Sequence, residues 1–468
     1  MHDELRRNAP KLRAYGRKDL DTIPQIQALP PETRIAMKAV SAVLPFRVNQ
    51  YVIDELIDWS AVPDDPMFQL TFPQRDMLEP EDLSLMEALV RGNAPEAEIR
   101  AAARTIQHRL NPHPAGQMQM NVPMEGGTRF DGIQHKYRET VLFFPTQGQT
   151  CHAYCSYCFR WPQFTGLDEM KFATKEADRL VRYLRAHPEV TSVLFTGGDP
   201  MVMRTAVLRR YIEPILAARL PNLASIRIGS KALAYWPQRF VTDSDADDLM
   251  ALFEEVVASG ISLAFMSHYS HPREIEPVIA QAALRRVIAT GAVVRCQSPI
   301  IRHVNDSADV WADLWKKEVA LGAVPYYMFI ARDTGARRYF EIPLVEAYHV
   351  YRDAISRVSG LARTARGPSM SATPGKVAID GIINVRGEKA LALRLLQARD
   401  PSWVGIPFHA QLDPTATWFD DLLPAFGEQE FFFTRALKEM KKQAIVEPDL
   451  PQSSQIRKLP MVSESIAA

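Results

Sequence analysis

From Glu139 onward the chain alternates short β-branched or aromatic runs with amphipathic stretches that open on polar residues or proline and often close on glycine. That alternation is the pattern of βαβ units, which build a parallel sheet. Six runs qualify as strands: ETVLFFPT, SVLFTGGDP from Ser192, SIRIGSKA from Ser225, SLAFMSHYS from Ser262, VVRCQSPI from Val293 and PYYMFIARD from Pro325. Between the first two, TKEADRLVRYLRA sets Ala177, Leu180, Val181 and Leu184 at helical spacing, with Thr174 as the expected cap. Later helices end near Gly260, Gly291 and Gly322, because the residue just past a helix favours glycine. The spacing predicts an α/β fold, a parallel (β/α)6 barrel that need not close fully, with functional residues at the strand C-termini.

The flanks read differently. Residues 1–135 hold no strong strand and resolve into short helices separated by prolines, such as PETRIAMKAVSAVL and PEDLSLMEALVRG, so a helical N-terminal cap is expected there. The barrel core is expected over 136–340 and a C-terminal extension or wrap over 341–468. Within that extension the aromatic-rich PSWVGIPFHAQLDPTATWFDDLLPAF suggests a wrap or a homo-oligomer contact, GEQEFFFTRALKEMKKQ suggests a helix, and the last 20 residues are expected to be mobile. Fifty-five basic residues balance 55 acidic ones, which gives no field for nucleic acid or a membrane surface. The charged start has no apolar signal region and no run approaches a membrane span, so a cytoplasmic location is expected.

Three of the four cysteines fall within VLFFPTQGQTCHAYCSYCFR, as Cys151, Cys155 and Cys158 on the loop after the first strand. Thiols spaced four and three apart can curl around one centre, and three thiolates suit three irons of a 4Fe-4S cube whose fourth iron stays open to something that is not protein. A zinc site would need a second ligand pair, and His152 is crowded against Cys151. A disulfide framework fails because three clustered thiols cannot all pair. Cys296 should point away from its neighbour Gln297 by strand alternation and pack as a buried thiol.

CxxxCxxC with an aromatic, Tyr157, before the last cysteine resembles the signature of the radical S-adenosylmethionine enzymes. The surrounding segments, from about residue 45 to about 385, resemble the lysine 2,3-aminomutase family. That resemblance implies a partial (β/α)6 barrel of radical SAM type. It also implies S-adenosylmethionine contacts at Tyr157, at Gly197, Gly198 and Asp199 of TGGDP, at Ser230 of RIGSK, at His268 and at Gln297. In this reading the two glycines let a ligand approach the backbone, and Asp199 meets the methionine amine. RIGSK carries Lys231 where the family has arginine, and the two are not interchangeable.

By the same resemblance Arg160 matches the arginine that grips a substrate carboxylate. The aspartate that holds lysine's distant ammonium in the family aligns with Arg332, with Asp333 one residue off, so lysine is doubtful as the substrate and a small carboxylate or amino acid is expected. An electron donor such as flavodoxin or ferredoxin is implied. The extra cysteines of the family's zinc site have no counterpart, so no zinc is expected. The family's aminomutases hold pyridoxal phosphate through a lysine in GGGGKTP. In LARTARGPSMSATPGKVAIDG that position becomes Ala372 if TP is matched to TP, or the loop is missing and Lys376 starts a strand. The expectation is therefore no pyridoxal phosphate, with Lys376, two residues beyond TP, as the one candidate amine that could stand in for the missing lysine. A lysine 2,3-aminomutase using pyridoxal phosphate, and a non-catalytic iron-sulfur carrier or sensor, are the alternatives.

Overall fold

The computed structural model describes residues 12–111, 120–125, 128–165 and 173–446; the tail expected to be mobile lies outside them. An eleven-stranded sheet organises the chain, with its strands in sequence order: β1 Ile133–Tyr137, β2 Thr140–Phe143, β3 Ser192–Phe195, β4 Ser225–Ser230, β5 Ser262–His268, β6 Val293–Ile300, β7 Val324–Ile330, β8 Arg366–Ser371, β9 Gly375–Val385, β10 Glu388–Ala398 and β11 Pro407–Gln411. Strands β2 to β8 run parallel, and β2 to β7 are the six read from the sequence. The edges, β1 on one side and β9 to β11 on the other, are antiparallel.

Helices cross over between the parallel strands: Ala177–Ala186, Thr205–Ala218, Ala246–Ala258, Val278–Ala289, Ala308–Ala320 and Leu344–Ser356. In the first, Ala177, Leu180, Val181 and Leu184 face the core as their spacing requires, and truncating Leu180 or Leu184 to alanine should cost about 2–5 kcal/mol. Its N-cap is Glu176 rather than Thr174; the Thr174 hydroxyl accepts from the Glu176 N–H at 3.1 Å, while the Thr174 backbone bridges to Pro145. Gly260, Gly291 and Gly322 adopt φ of +87°, +88° and +86°, so each turns the chain from helix to strand in a conformation other residues resist.

The two faces of the parallel strands differ. On β4, Ile226 and Ile228 are fully buried while Arg227 and Gly229, which alternate with them, are half-buried; on β6, Val294 and Cys296 are buried and Arg295 and Gln297 are half-buried. The outer row packs under the helices. The inner row carries Arg227, Arg295 and Gln297, polar where the interior of a closed barrel carries apolar layers.

Residues beyond 340 continue this sheet. Leu344–Ser356 is the crossover after β7, and β8 to β11 extend the sheet until it curls back on its first strand, where the Lys136 ammonium on β1 donates to the Ala372 carbonyl in the β8–β9 turn. Arg399 fixes the same turn by donating to the Thr373 carbonyl at 2.8 Å. The aromatic-rich segment packs on itself, with Phe408, Phe419, Phe431 and Phe433 in mutual ring contact, and the expected helix is Thr434–Val446. The N-terminal residues form helices at Pro31–Val43, Pro80–Arg91 and Glu96–Leu110, and Ala14–Gly16 pairs with Arg47–Asn49 as two short strands.

Candidate active site

The cysteine loop leaves β2 and is held from three directions. From the N-terminal segment, the carbonyls of Arg47 and Leu70 accept from Tyr154 N–H at 2.8 Å and Ser156 N–H at 2.9 Å, and the Gln69 carbonyl accepts from the Ser156 hydroxyl at 2.8 Å. From the β3 end, Asp199 N–H donates to the Thr150 carbonyl at 2.8 Å and Gly198 N–H to that of Gly148 at 3.0 Å. The glycines of TGGDP are explained by this contact. A Cβ on Gly198 would lie 2.3 Å from the Thr150 carbonyl oxygen, and one on Gly197, at φ +149°, 2.3 Å from the Gln149 side chain. The close backbone approach at these glycines is to the cysteine loop itself.

Asp199 is 2% exposed and fully engaged. One carboxylate oxygen accepts from Met201 N–H at 2.9 Å and the Ser230 hydroxyl at 2.8 Å; the other accepts from Lys231 N–H at 2.9 Å and contacts His152 Nε2 at 3.2 Å. Burial pushes its pKa up, but the His152, Met201 and Lys231 hydrogen bonds outweigh that and hold it below the usual carboxylate value. Both carboxylate oxygens are therefore already engaged by the protein, which ties Asp199 to the cysteine loop and to the end of β4. Ser230, equally buried, is likewise occupied: it donates to Asp199 and accepts from Ala232 N–H at 2.9 Å.

A second buried network holds the other end of the loop. Tyr157 hydroxyl meets Ser270 Oγ at 3.4 Å; Ser270 is also bonded to Ser298 Oγ at 2.9 Å and to Lys231 Nζ at 3.2 Å. Lys231 Nζ pairs with the fully buried Glu274 carboxylate at 2.7 Å and donates to the His268 carbonyl at 3.3 Å. Lys231 therefore joins both networks, its backbone to Asp199 and its ammonium to Ser270. The sequence marked this position only as a departure from arginine, and marked His152 only as a crowded metal ligand. The partners of both residues lie more than 30 positions away in the chain.

The three thiols are half-buried, and none forms a disulfide. Burial pushes Cys151 well up, Cys155 to about 12 and Cys158 up, and Cys155 and Cys158 further raise Cys151. Thiols so placed ionise when a cationic group binds them. Among the described residues no three His, Cys, Asp or Glu side chains converge on one point for a single metal ion. A cluster does not ask for that, because each thiolate takes a different iron. The donor set fits three irons of a 4Fe-4S group.

Around the thiols lie the other expected residues. His268 Nε2 and Gln297 Nε2 are 2.9 Å apart on neighbouring strands in register, facing the interior. Burial lowers His268 to about 4, with the Lys231 charge adding to the effect, so the ring is neutral and accepts from the Gln297 amide. Cys296 points the other way, buried against the Glu318 carboxyl. Arg160 donates to Thr196 Oγ1 at 3.3 Å and lies over the rings of Phe144 at 4.7 Å and Phe159 at 5.2 Å. Arg332, from the end of β7, lies over Phe159 at 5.5 Å and Trp418 at 5.5 Å, and its buried Nε has no hydrogen-bond partner. Burial lowers both guanidiniums, Arg160 to about 10, yet leaves Arg160 charged at neutral pH. The two arginines, 172 residues apart, thus share one aromatic ring beside Cys158.

At the β8–β9 turn, Ala372 is 3% exposed and offers no amine. Lys376 starts β9 as expected, with Nζ over the Tyr327 ring at 4.0 Å and the Phe329 ring at 5.3 Å.

Sequence comparison agrees with this picture. The chain is 28% identical over 403 residues to a putative L-lysine 2,3-aminomutase of Aquifex aeolicus, spanning 86% of this chain and 94% of the relative. It is 28% identical over 251 residues to the L-lysine 2,3-aminomutase of Escherichia coli, covering 53% of this chain and 68% of that one. To the L-lysine 2,3-aminomutase of Haemophilus influenzae it is 29% identical, over 49% of this chain and 63% of the relative. No protein-family model matches the chain. The enzymes this chain is similar to in sequence are L-lysine 2,3-aminomutases. The chain resembles the lysine 2,3-aminomutase family over most of its length. Solved structures with a looser likeness include a radical SAM methyltransferase of Sphaerobacter thermophilus, at a TM-score of 0.36 and 14% identity over 62% of this chain and 94% of that one. Another is SuiB of Streptococcus suis bound to S-adenosylmethionine, at 0.32 and 11% over 59% of each.

Proposed function

We propose that Cys151, Cys155 and Cys158 hold a 4Fe-4S cluster, that S-adenosylmethionine lies against the His268–Gln297 pair, and that the substrate is a small amino-acid-like carboxylate held by Arg160 and Arg332. When bound, the cluster and S-adenosylmethionine supply a 5′-deoxyadenosyl radical that takes hydrogen from a substrate carbon. The chain's own work is to aim and to enclose. Gln297 and the neutral His268 ring present polar groups to the interior without adding charge, and the backbone of Gly197 and Gly198 lines the loop at the β3 end. The buried rings of Phe144 and Trp418 flank the arginines on one side each and lower the local dielectric, which strengthens their hold on a carboxylate.

The observation that carries this reading is the pair of guanidiniums over Phe159, directly after Cys158. Two cations at one ring favour an acidic or neutral amino acid over a cationic one. The curated relatives carry L-lysine 2,3-aminomutase in their names, and this supports a second reading with lysine as the substrate. Anaerobic reconstitution, reduction with S-adenosylmethionine, and screening of deuterated amino acids for label in 5′-deoxyadenosine tests both. Label from acidic or neutral amino acids is expected; label mainly from lysine selects the second reading, and no 5′-deoxyadenosine at all leaves only an iron-sulfur carrier. Supply of the electron by a flavodoxin or ferredoxin is part of the proposal.

A further inference from the structure

Deeper in the interior, four cations from four strands gather around two tyrosines. Lys376 on β9 and Arg366 on β8 lie over the Tyr327 ring at 4.0 and 4.5 Å; Arg366 and Arg295 on β6 lie over Tyr326 at 4.5 and 5.1 Å; the two rings meet edge to face at 4.5 Å. Arg227 on β4 completes the group, its charge acting on both tyrosines and on Lys376. Its one hydrogen bond joins Nη2 to Thr140 Oγ1 at 3.3 Å, and its buried Nε has no partner.

Among the described residues none of the four forms an ion pair, in a chain whose 55 basic and 55 acidic residues balance. Burial lowers Lys376 to about 7, and the charges of Arg227 and Arg366 add to the effect. Uncompensated cations packed this closely are costly unless something anionic binds them. Arg295 is two residues before Gln297 on the same inner row, so the cluster lies roughly 7 Å below the His268–Gln297 pair.

We propose that this cluster is a binding site for a phosphate-class oxyanion, either free phosphate or the phosphate of an ester. One planar carboxylate matches one guanidinium fork, whereas donors arriving from four strands suit a tetrahedral group with acceptor oxygens on several sides. The tyrosine pair forms an aromatic wall beside the site, and the exposed Arg366 marks its solvent side. The site is independent of the radical chemistry, because it uses no residue assigned to the cluster, S-adenosylmethionine or the substrate carboxylate.

The test is the intact chain without iron or S-adenosylmethionine, titrated calorimetrically and by thermal shift with inorganic phosphate, phenyl phosphate and chloride. Both phosphates should bind and raise Tm while chloride at equal ionic strength should not. Lys376→Met and the exposed-site variant Arg366→Gln should each weaken binding at least tenfold. In phosphate-free buffer Lys376→Met should melt no lower than the parent, since it removes an unpaired buried charge, and saturating phosphate should reverse that order. Phenyl phosphate binding tenfold tighter than inorganic phosphate identifies an ester as the ligand; equal affinity identifies the free ion. No binding of either phosphate, or affinity unchanged in both variants, overturns the proposal whatever becomes of the radical activity.

Discussion

The two ends of the barrel interior treat charge in opposite ways. Under the cysteine loop the buried networks are saturated: Asp199 accepts from four groups, Lys231 is paired with Glu274, and the loop is tied down at both ends, while Arg160 and Arg332 beside it lie over Phe159. Around Tyr326 and Tyr327, Arg295, Arg366 and Lys376 have rings and little else, and Arg227 has a single hydrogen bond to the Thr140 hydroxyl. Saturated networks fix geometry, while unsaturated ones wait for a ligand. The networks under the loop hold a reactive group still, while the guanidiniums over Phe159 and the cations around the tyrosine pair are placed to bind.

The largest effect that would break this contrast is expected at the loop. Cys155→Ser should lose its iron and all 5′-deoxyadenosine formation after reconstitution, whereas Cys296→Ser, which alters only the outer row, should keep both. Full iron content in Cys155→Ser, measured by colorimetric assay, would remove the cluster from this loop.

Asp199→Asn sharpens it next. A direct ligand contact would lose S-adenosylmethionine affinity alone. A tie under the loop should lose stability first, by about 3–5 kcal/mol as for one partner taken from a buried charge network, and iron content with it. The sign in pH follows from a carboxylate held below its ordinary value: its contribution is complete above about 4 and is lost as the pH falls through the lower folded value. Denaturant melts at pH 7 and at pH 3 should therefore show the gap between parent and variant narrowing in acid. A stable, iron-loaded Asp199→Asn protein with weak S-adenosylmethionine binding would restore the ligand role.

How much of this was legible follows the same division. Repeating strand signals placed β2 to β7, and the period-two rule set Cys296 outward and Gln297 inward. The partners of Asp199 and Lys231 were not legible, because His152 comes from the cysteine loop, Ser230 from the end of β4 and Ser270 and Glu274 from the segment after β5, which only the folded sheet brings together. Strand β10 was hidden by its own composition. ALALRLLQA is rich in helix formers, and its hairpin with β9, turning at Arg386 and Gly387 with φ of +53° and +94°, overrides that preference. The lower cation cluster was hidden because its four members lie on four strands, β4, β6, β8 and β9, which only the folded sheet brings together.

A smaller effect concerns His268. Its pKa falls from 6.5 to about 4 because burial favours the neutral ring, so the unfolded chain takes up a proton first as the pH drops. Stability from this residue is complete above about 6.5 and is lost between there and about 4, up to roughly 3 kcal/mol. His268→Gln should flatten that part of the stability profile in urea titrations from pH 7 to 4.5, with the slopes of the other histidines cancelling between the two proteins. An unchanged slope would mean that the ring is already protonated in the fold and is not the neutral acceptor for Gln297.

The smallest effect expected is none at all, and it bears on pyridoxal phosphate. In the TP-matched register the place of the family's lysine is Ala372, buried and with its carbonyl bonded to Lys136. In the other register the loop is absent and Lys376 begins β9. Two amines therefore remain nearby, and both are engaged elsewhere, since Lys136 closes the sheet and Lys376 stands over Tyr327 among the lower cations. Burial lowers both amines, which would favour reaction with an aldehyde. An oxyanion bound beside Lys376 acts the opposite way, because a neighbouring negative charge favours the ammonium, and an ammonium does not attack a carbonyl. In phosphate buffer, incubation with pyridoxal phosphate followed by borohydride should leave no pyridoxyl group on either lysine by peptide mass mapping. A labelled Lys376 peptide under those conditions would make the lower site an aldehyde-cofactor site and return the chain to an ordinary amino-acid 2,3-aminomutase chemistry.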